Sequence, residues 1–150
     1  MFPEYDYNDL VEGEDFEDDE EEMKEEVEIG RTPLFDFRTG RYVIKDGKVV
    51  ECTQDEAIRQ WVGFLIKTPA EAFEVYDESD FGTYIHNLIG WKDAGFVASE
   101  IRRELFEKCL LNRAINSINN FEFSKKSGVI HISFTVVKND DEEVEVSVDV

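Results

Sequence analysis

At 150 residues and 17.4 kDa, with 36 Asp and Glu against 16 Lys and Arg, the chain carries −20 at neutral pH. That length suits one compact domain with a tail. A sequence pI near 4.3 argues against nucleic-acid backbones and anionic membrane surfaces as partners, because both would repel it.

No stretch approaches the roughly 18 apolar residues of a membrane span, and the acidic first residues do not make a signal peptide. The two cysteines, Cys52 and Cys109, lie too far apart in sequence for a metal pair or a disulfide framework, which fits folding in a reduced cytosol.

The charge is concentrated at one end. Met1 to Glu28 hold fifteen acidic residues and one basic residue, Lys24, so this segment carries −14 and the rest only −6. The run Glu17-Asp18-Asp19-Glu20-Glu21-Glu22 has no apolar face and repels itself, as a flexible or extended solvated tail would. The interspersed Phe2, Tyr5, Tyr7, Leu10, Val11 and Phe16 leave open a second reading, a tether that docks on a basic partner. The composition changes at Ile29-Gly30, which divides a tail over residues 1–29 from a single domain over 30–150.

Phe35 and Phe37 alternate with Asp36 and Arg38, a short strand signal ending at Thr39-Gly40. Asp46-Gly47 between Tyr42-Val43-Ile44-Lys45 and Lys48-Val49-Val50-Glu51 predicts a hairpin, because both central residues tolerate positive φ. Thr53 with Glu56 reads as a capping box, followed by a helix with Ile58, Trp61, Val62 and Leu65 on one face and an end near Lys67-Thr68, ahead of Pro69. Phe73 and Val75 suggest a short strand. A short helix over about 82–89 with a stop at Gly90 comes next, then a longer helix starting between Phe96 and Ser99, with Val97, Ile101, Leu105 and Cys109 on its buried face.

Past Leu111 the apolar period falls to two. Phe121 and Phe123, then Ile130, Ile132, Phe134 and Val136, then Val144, Val146, Val148 and Val150 make three strand faces. Turns at Lys125-Lys126-Ser127-Gly128 and Asn139-Asp140-Asp141-Glu142 separate them. The fold class is α+β: a small antiparallel sheet, comprising this three-stranded meander and the N-terminal hairpin, covered by two or three helices. The last strand turns Glu143, Glu145, Ser147 and Asp149 outward. If it borders the sheet, its free N–H and C=O groups are either shielded by charge or used for strand addition by a partner.

No constellation predicts catalysis. Asp77, Glu78 and Asp80 share a turn but lack the apolar pocket that would tune a carboxyl for acid chemistry, which leaves a glycan hydrolase as the enzymatic alternative. Asp80-Phe81-Gly82 spells a kinase triplet without a Gly-rich loop or a His-Arg-Asp segment. His86 and His131 have no ligand partner at a useful spacing, Cys109 reads as a small core residue, and Trp61 and Trp91 read as core anchors. No metal or cofactor site is expected. An acidic-tailed binding protein that occupies basic surfaces is the other alternative.

The ordered set Phe35-Asp36-Phe37-Arg38-Thr39-Gly40, the Asp46-Gly47 hairpin, Trp61, Thr68, Phe73-Glu74-Val75-Tyr76, Asp80-Phe81-Gly82 and Leu88-Ile89-Gly90 resembles a family of phage and prophage baseplate proteins. These are related to the lysozyme-like wedge component of contractile tails, the sheath initiator. The resemblance runs from about Phe35 to Phe134. It implies a non-enzymatic structural protein of the virion tail baseplate, assembled in the host cytoplasm in multiple copies around the tail axis. The implied partners are the sheath protein and the baseplate wedge and hub or tube proteins. The implied mechanism is strand exchange with sheath subunits, with which the border-strand reading of Glu143, Val144, Glu145, Val146, Ser147 and Val148 as the contact strand is compatible. Related wedge proteins carry a Glu-Pro-Arg triplet where the long helix meets the sheet. Here Leu111-Asn112-Arg113 keeps the arginine alone, so the resemblance extends only Arg113 to the partner-binding set.

Overall fold

A computed structural model of the chain describes residues 29–150. The readings of the acidic segment before Ile29 lie outside the described residues. The fold is α+β, with two helices and seven strands among the described residues.

The first part is built from two hairpins. Strand β1 (Phe35–Asp36) pairs antiparallel with β2 (Arg41–Tyr42), and β3 (Ile44–Lys45) with β4 (Lys48–Val49). Asp46 and Gly47 both take positive φ, 51° and 74°, the geometry a two-residue hairpin turn requires. These pairs form two separate two-stranded sheets, so the N-terminal hairpin does not join the C-terminal sheet as expected. The reason lies in helix α1 (Gln54–Lys67), which intervenes: Gln60 donates to Pro33 O at 2.9 Å and accepts from Phe35 N at 2.7 Å, pinning the hairpin to the helix.

Helix α1 starts as predicted. Thr53 Oγ1 accepts from Glu56 N at 3.3 Å, and Glu56 Oε2 accepts from Thr53 N at 2.8 Å, which satisfies two of the free donors of the first turn. Ile58, Val62, Leu65 and Ile66 are buried beneath it, while Trp61 is only partly so and meets Phe81 edge-on at 5.8 Å. The segment after Pro69 departs from expectation. Phe73-Glu74-Val75-Tyr76 is not a strand: Glu74–Tyr76 form a 3-10 turn closed by Tyr76 N to Phe73 O at 3.0 Å, and Phe73 and Val75 are exposed. Two alternating apolar residues cannot specify a strand with no neighbour to pair with. Likewise, the short helix is a 3-10 turn over Ile85–Leu88, with Ile85 fully buried.

Helix α2 (Ala94–Cys109) begins earlier than the apolar pattern indicated, because Asp93 Oδ1 caps it by accepting from Phe96 N at 3.0 Å. Val97, Ile101, Leu105 and Cys109 are all buried, as the four-residue recurrence predicted. Trp91, expected in the core, is 53 % exposed and stacks on Phe96 at 5.3 Å just before the helix.

The meander is β5 (Ile115–Lys126), β6 (Val129–Lys138) and β7 (Glu143–Asp149), in the order β5-β6-β7. Two register shifts in β5, at Ile115/Ser117 and Asn119/Glu122, bend that strand, with Asn120 at φ 52°. Ile130, Ile132, Phe134 and Val136 of β6 and Val144, Val146 and Val148 of β7 point into one apolar core with the helices. Helix α1 lies against β7 and helix α2 against β5.

Candidate assembly interface

Strand β7 borders the sheet. Its pairing with β6 runs without a shift from Val137↔Glu143 to His131↔Asp149, and Ile130 and Val150 exchange both backbone bonds at 2.8 Å. In an antiparallel ladder such exchanges recur at every second residue. Val144, Val146, Val148 and Val150 therefore direct their backbone groups to β6, and Glu143, Glu145, Ser147 and Asp149 direct theirs away from the sheet. Side chains alternate in the same register: Val144, Val146 and Val148 are buried, whereas Glu143, Glu145, Ser147 and Asp149 are exposed. The six strand residues singled out in sequence thus divide. Glu143, Glu145 and Ser147 present the free flank, and the three valines hold the strand in the core.

The flank is partly capped, and not by another strand. Arg59 Nε donates to Glu145 O at 2.9 Å, and Lys67 Nζ donates to Asp149 O at 2.8 Å. Both cations come from α1, two helical turns apart. Among the described residues, nothing meets the outward N–H groups of Glu143, Glu145, Ser147 and Asp149, or the carbonyls of Glu143 and Ser147. Beside the flank runs an open groove of about 460 Å³ between β1, α1 and β7, with Phe35, Phe37, Arg38, Gly63 and Ser147 among its walls. Phe35, Phe37 and Phe64 pack at centroid distances of 4.9–5.2 Å, and Lys67 lies 5.9 Å from the Phe37 ring. On the outer face His131 Nδ1 and Asp149 Oδ1 lie 2.5 Å apart across the β6–β7 pair, which orients the last carboxylate of the strand.

Arg59 and Lys67 were not among the residues singled out in sequence. They flank the buried stripe of α1 as ordinary solvating cations would, and only the packing of α1 on β7 brings them to the edge. Arg113 is exposed two residues before β5, with its carbonyl accepting from Asn139 Nδ2 at the β6–β7 turn. The structure does not bring it to the free flank of β7, since β5 and β7 are opposite borders of the sheet.

The other candidates have structural roles. Asp80 is tied to Lys108, whose Nζ donates to its carboxylate at 2.6 Å and to its carbonyl at 2.7 Å. Phe81 packs on Trp61 and Tyr76 at 5.8 and 5.1 Å. Gly82, at φ +105°, has no room for a Cβ, which would stand 3.0 Å from Thr68 O. The Asp-Phe-Gly triplet is therefore a clasp between the 68–90 loop and α2. Burial pushes the Cys109 thiol up to about 12, as an inert core residue requires. His86 is half-buried with Nε2 lacking a partner among the described residues. No group of three His, Cys, Asp or Glu side chains suited to a metal occurs among the described residues, and no helix there is long and apolar enough to cross a membrane.

Residues 31–141 match the family model of the contractile injection system sheath initiator. The chain belongs to that family. The family is a structural one, so the chain is a structural component of a contractile injection system, and the resemblance carried by Phe35–Gly40, the Asp46-Gly47 hairpin and Asp80–Gly82 is borne out at family level. Phage-like element PBSX protein XkdS of Bacillus subtilis (strain 168) is 28 % identical over 134 residues, which cover 88 % of this chain and 89 % of that protein. The stretch matched by the family model spans both hairpins, both helices, β5 and β6 and ends at Asp141, so the reading of β7 rests on its geometry.

Proposed function

We propose that this protein seeds the contractile sheath by strand exchange, with the free flank of β7 receiving a strand from a subunit of the first sheath ring. The observation that carries this reading is the border position of β7, with four outward N–H groups and two outward carbonyls unmet among the described residues. Edge strands left in this state pair readily with a further strand. The remaining surface, including Arg113 beside the β6–β7 turn, contacts baseplate wedge and hub or tube proteins, in several copies around the tail axis. In this reading the protein acts in the tail baseplate of a virion or phage-derived particle assembled in the host cytoplasm, and residues 30–150 act as one unit.

Ser147→Pro tests it. Proline lacks an N–H and is accommodated at an outward-facing position of an edge strand, so the β6 ladder survives while the flank loses a central donor and gains a ring. Particles assembled with Ser147→Pro should carry baseplates and tubes without extended sheath in negative-stain micrographs, whereas Ser147→Ala should sheath normally. Normal sheath on the proline variant, with the fold intact by circular dichroism, refutes the role of this edge.

A further inference from the structure

Resting on that reading, the geometry points to a chemical signature for the incoming strand: carboxylates at positions i and i+4 on the side that faces α1, recognised by Arg59 and Lys67. A strand that zips onto β7 must give its own N–H groups to the carbonyls of Glu145 and Asp149. Those are the two carbonyls now held by Arg59 Nε and Lys67 Nζ. Pairing therefore ejects both cations from the edge.

Neither has a carboxylate waiting for it among the described residues. Among the described residues Arg59 and Lys67 form no ion pair with a carboxylate, although acids outnumber bases in the whole chain. By contrast Lys138 alone engages Asp55, Asp140 and Glu142. Glu145 and Asp149 are four residues apart, about 13 Å along a strand. Residues i and i+4 of an incoming strand share that span and one face. Side chains on the helix-facing side enter the groove that Phe35 and Phe37 wall and that Arg38 also lines. Two carboxylates at that spacing meet the freed cations, and an apolar residue between them meets the aromatic wall.

The outward acids of β7 disfavour a second copy of this chain as the occupant. In an antiparallel β7–β7 pairing the outward residues lie opposite one another, which sets Glu143, Glu145 and Asp149 of one copy against those of the other on the exposed face. The cations thus act first as a cover on a bare edge, and afterwards as the reader of what replaces them.

The test uses the full chain and three labelled eleven-residue probes of alternating Thr and Val, in which the fourth and eighth residues are Glu, Gln or Lys. Fluorescence anisotropy at low salt should give the order Glu, Gln, Lys, with roughly fivefold between Glu and Gln, as two partly exposed ion pairs supply. The gap should close at high salt. In Arg59→Glu/Lys67→Glu the order should invert, and in Arg59→Met/Lys67→Met it should flatten, with near-ultraviolet circular dichroism confirming that both variants are folded. Equal binding of the three probes overturns the acidic signature and leaves edge pairing standing. Binding of none, with the native fold intact, overturns both.

Discussion

Gly63 offers a quantitative check on how the hairpin is seated over α1. It lies in the interior of the helix, where replacing Gly by Ala adds about 1 kcal/mol of helix stability. Here a Cβ would stand 2.8 Å from Phe37 Cζ and 2.9 Å from Cε2, so the ring must move. Moving it disturbs its contacts with Phe35 at 5.2 Å and Phe64 at 4.9 Å, and aromatic pairs of this kind contribute about 0.5–1.5 kcal/mol each. The two effects nearly cancel, and Gly63→Ala alone should change stability by less than about 1 kcal/mol.

In a Phe37→Ala background nothing stands in the way of the new methyl group. The full gain of about 1 kcal/mol should then appear. Urea unfolding of the wild type, both single variants and the double variant should give a coupling of about 1–2 kcal/mol between the sites. If Gly63→Ala adds the same stability with and without the Phe37 ring, the hairpin does not sit on the helix as described.

Thiol accessibility gives a second check: Cys109 is fully buried and its thiol is pushed up to about 12, while Cys52 is half-buried. Peptide mapping after labelling at pH 8 should find Cys52 modified in the native chain and Cys109 only after denaturation, and equal labelling of both in the native state would contradict the packing of α2. Glu104 supplies a prediction with a pH sign. It is buried, accepts from Tyr84 N at 2.6 Å, and has its carboxyl raised above the ordinary value chiefly by burial. The folded state therefore holds the proton more tightly than the unfolded chain, and this group lowers stability as pH rises from the unfolded value near 4.5 through the folded one. Glu104→Gln, which keeps an acceptor for Tyr84, should show a flatter stability–pH profile above pH 4.5 in thermal melts, and an unchanged slope refutes the assignment.

Much of the fold was legible in local patterns. Asp46-Gly47 specified its hairpin, Thr53 with Glu56 its helix start, and the four-residue recurrence from Val97 to Cys109 its buried face, because each is settled by groups within one or two turns of the chain. The signals that failed were short or lacked partners. Phe73 and Val75 alternate like a strand but have no neighbour to pair with, and Trp91 has the character of a core residue yet lies outside the core, stacked on Phe96. The start of α2 was legible but missed, since Asp93 is an ordinary cap residue three positions ahead of Phe96.

The sequence by itself determined which residues of β7 face the core and which face out, since a period of two admits only one burial face. It could not determine that β7 is the border strand, because strand order depends on long-range pairing that local pattern does not encode. Nor could it place Arg59 and Lys67 on the carbonyls of Glu145 and Asp149, 86 and 82 residues away in sequence. That contact exists only once α1 has packed its apolar stripe against β7, and it turns two ordinary surface cations into the cover of the edge.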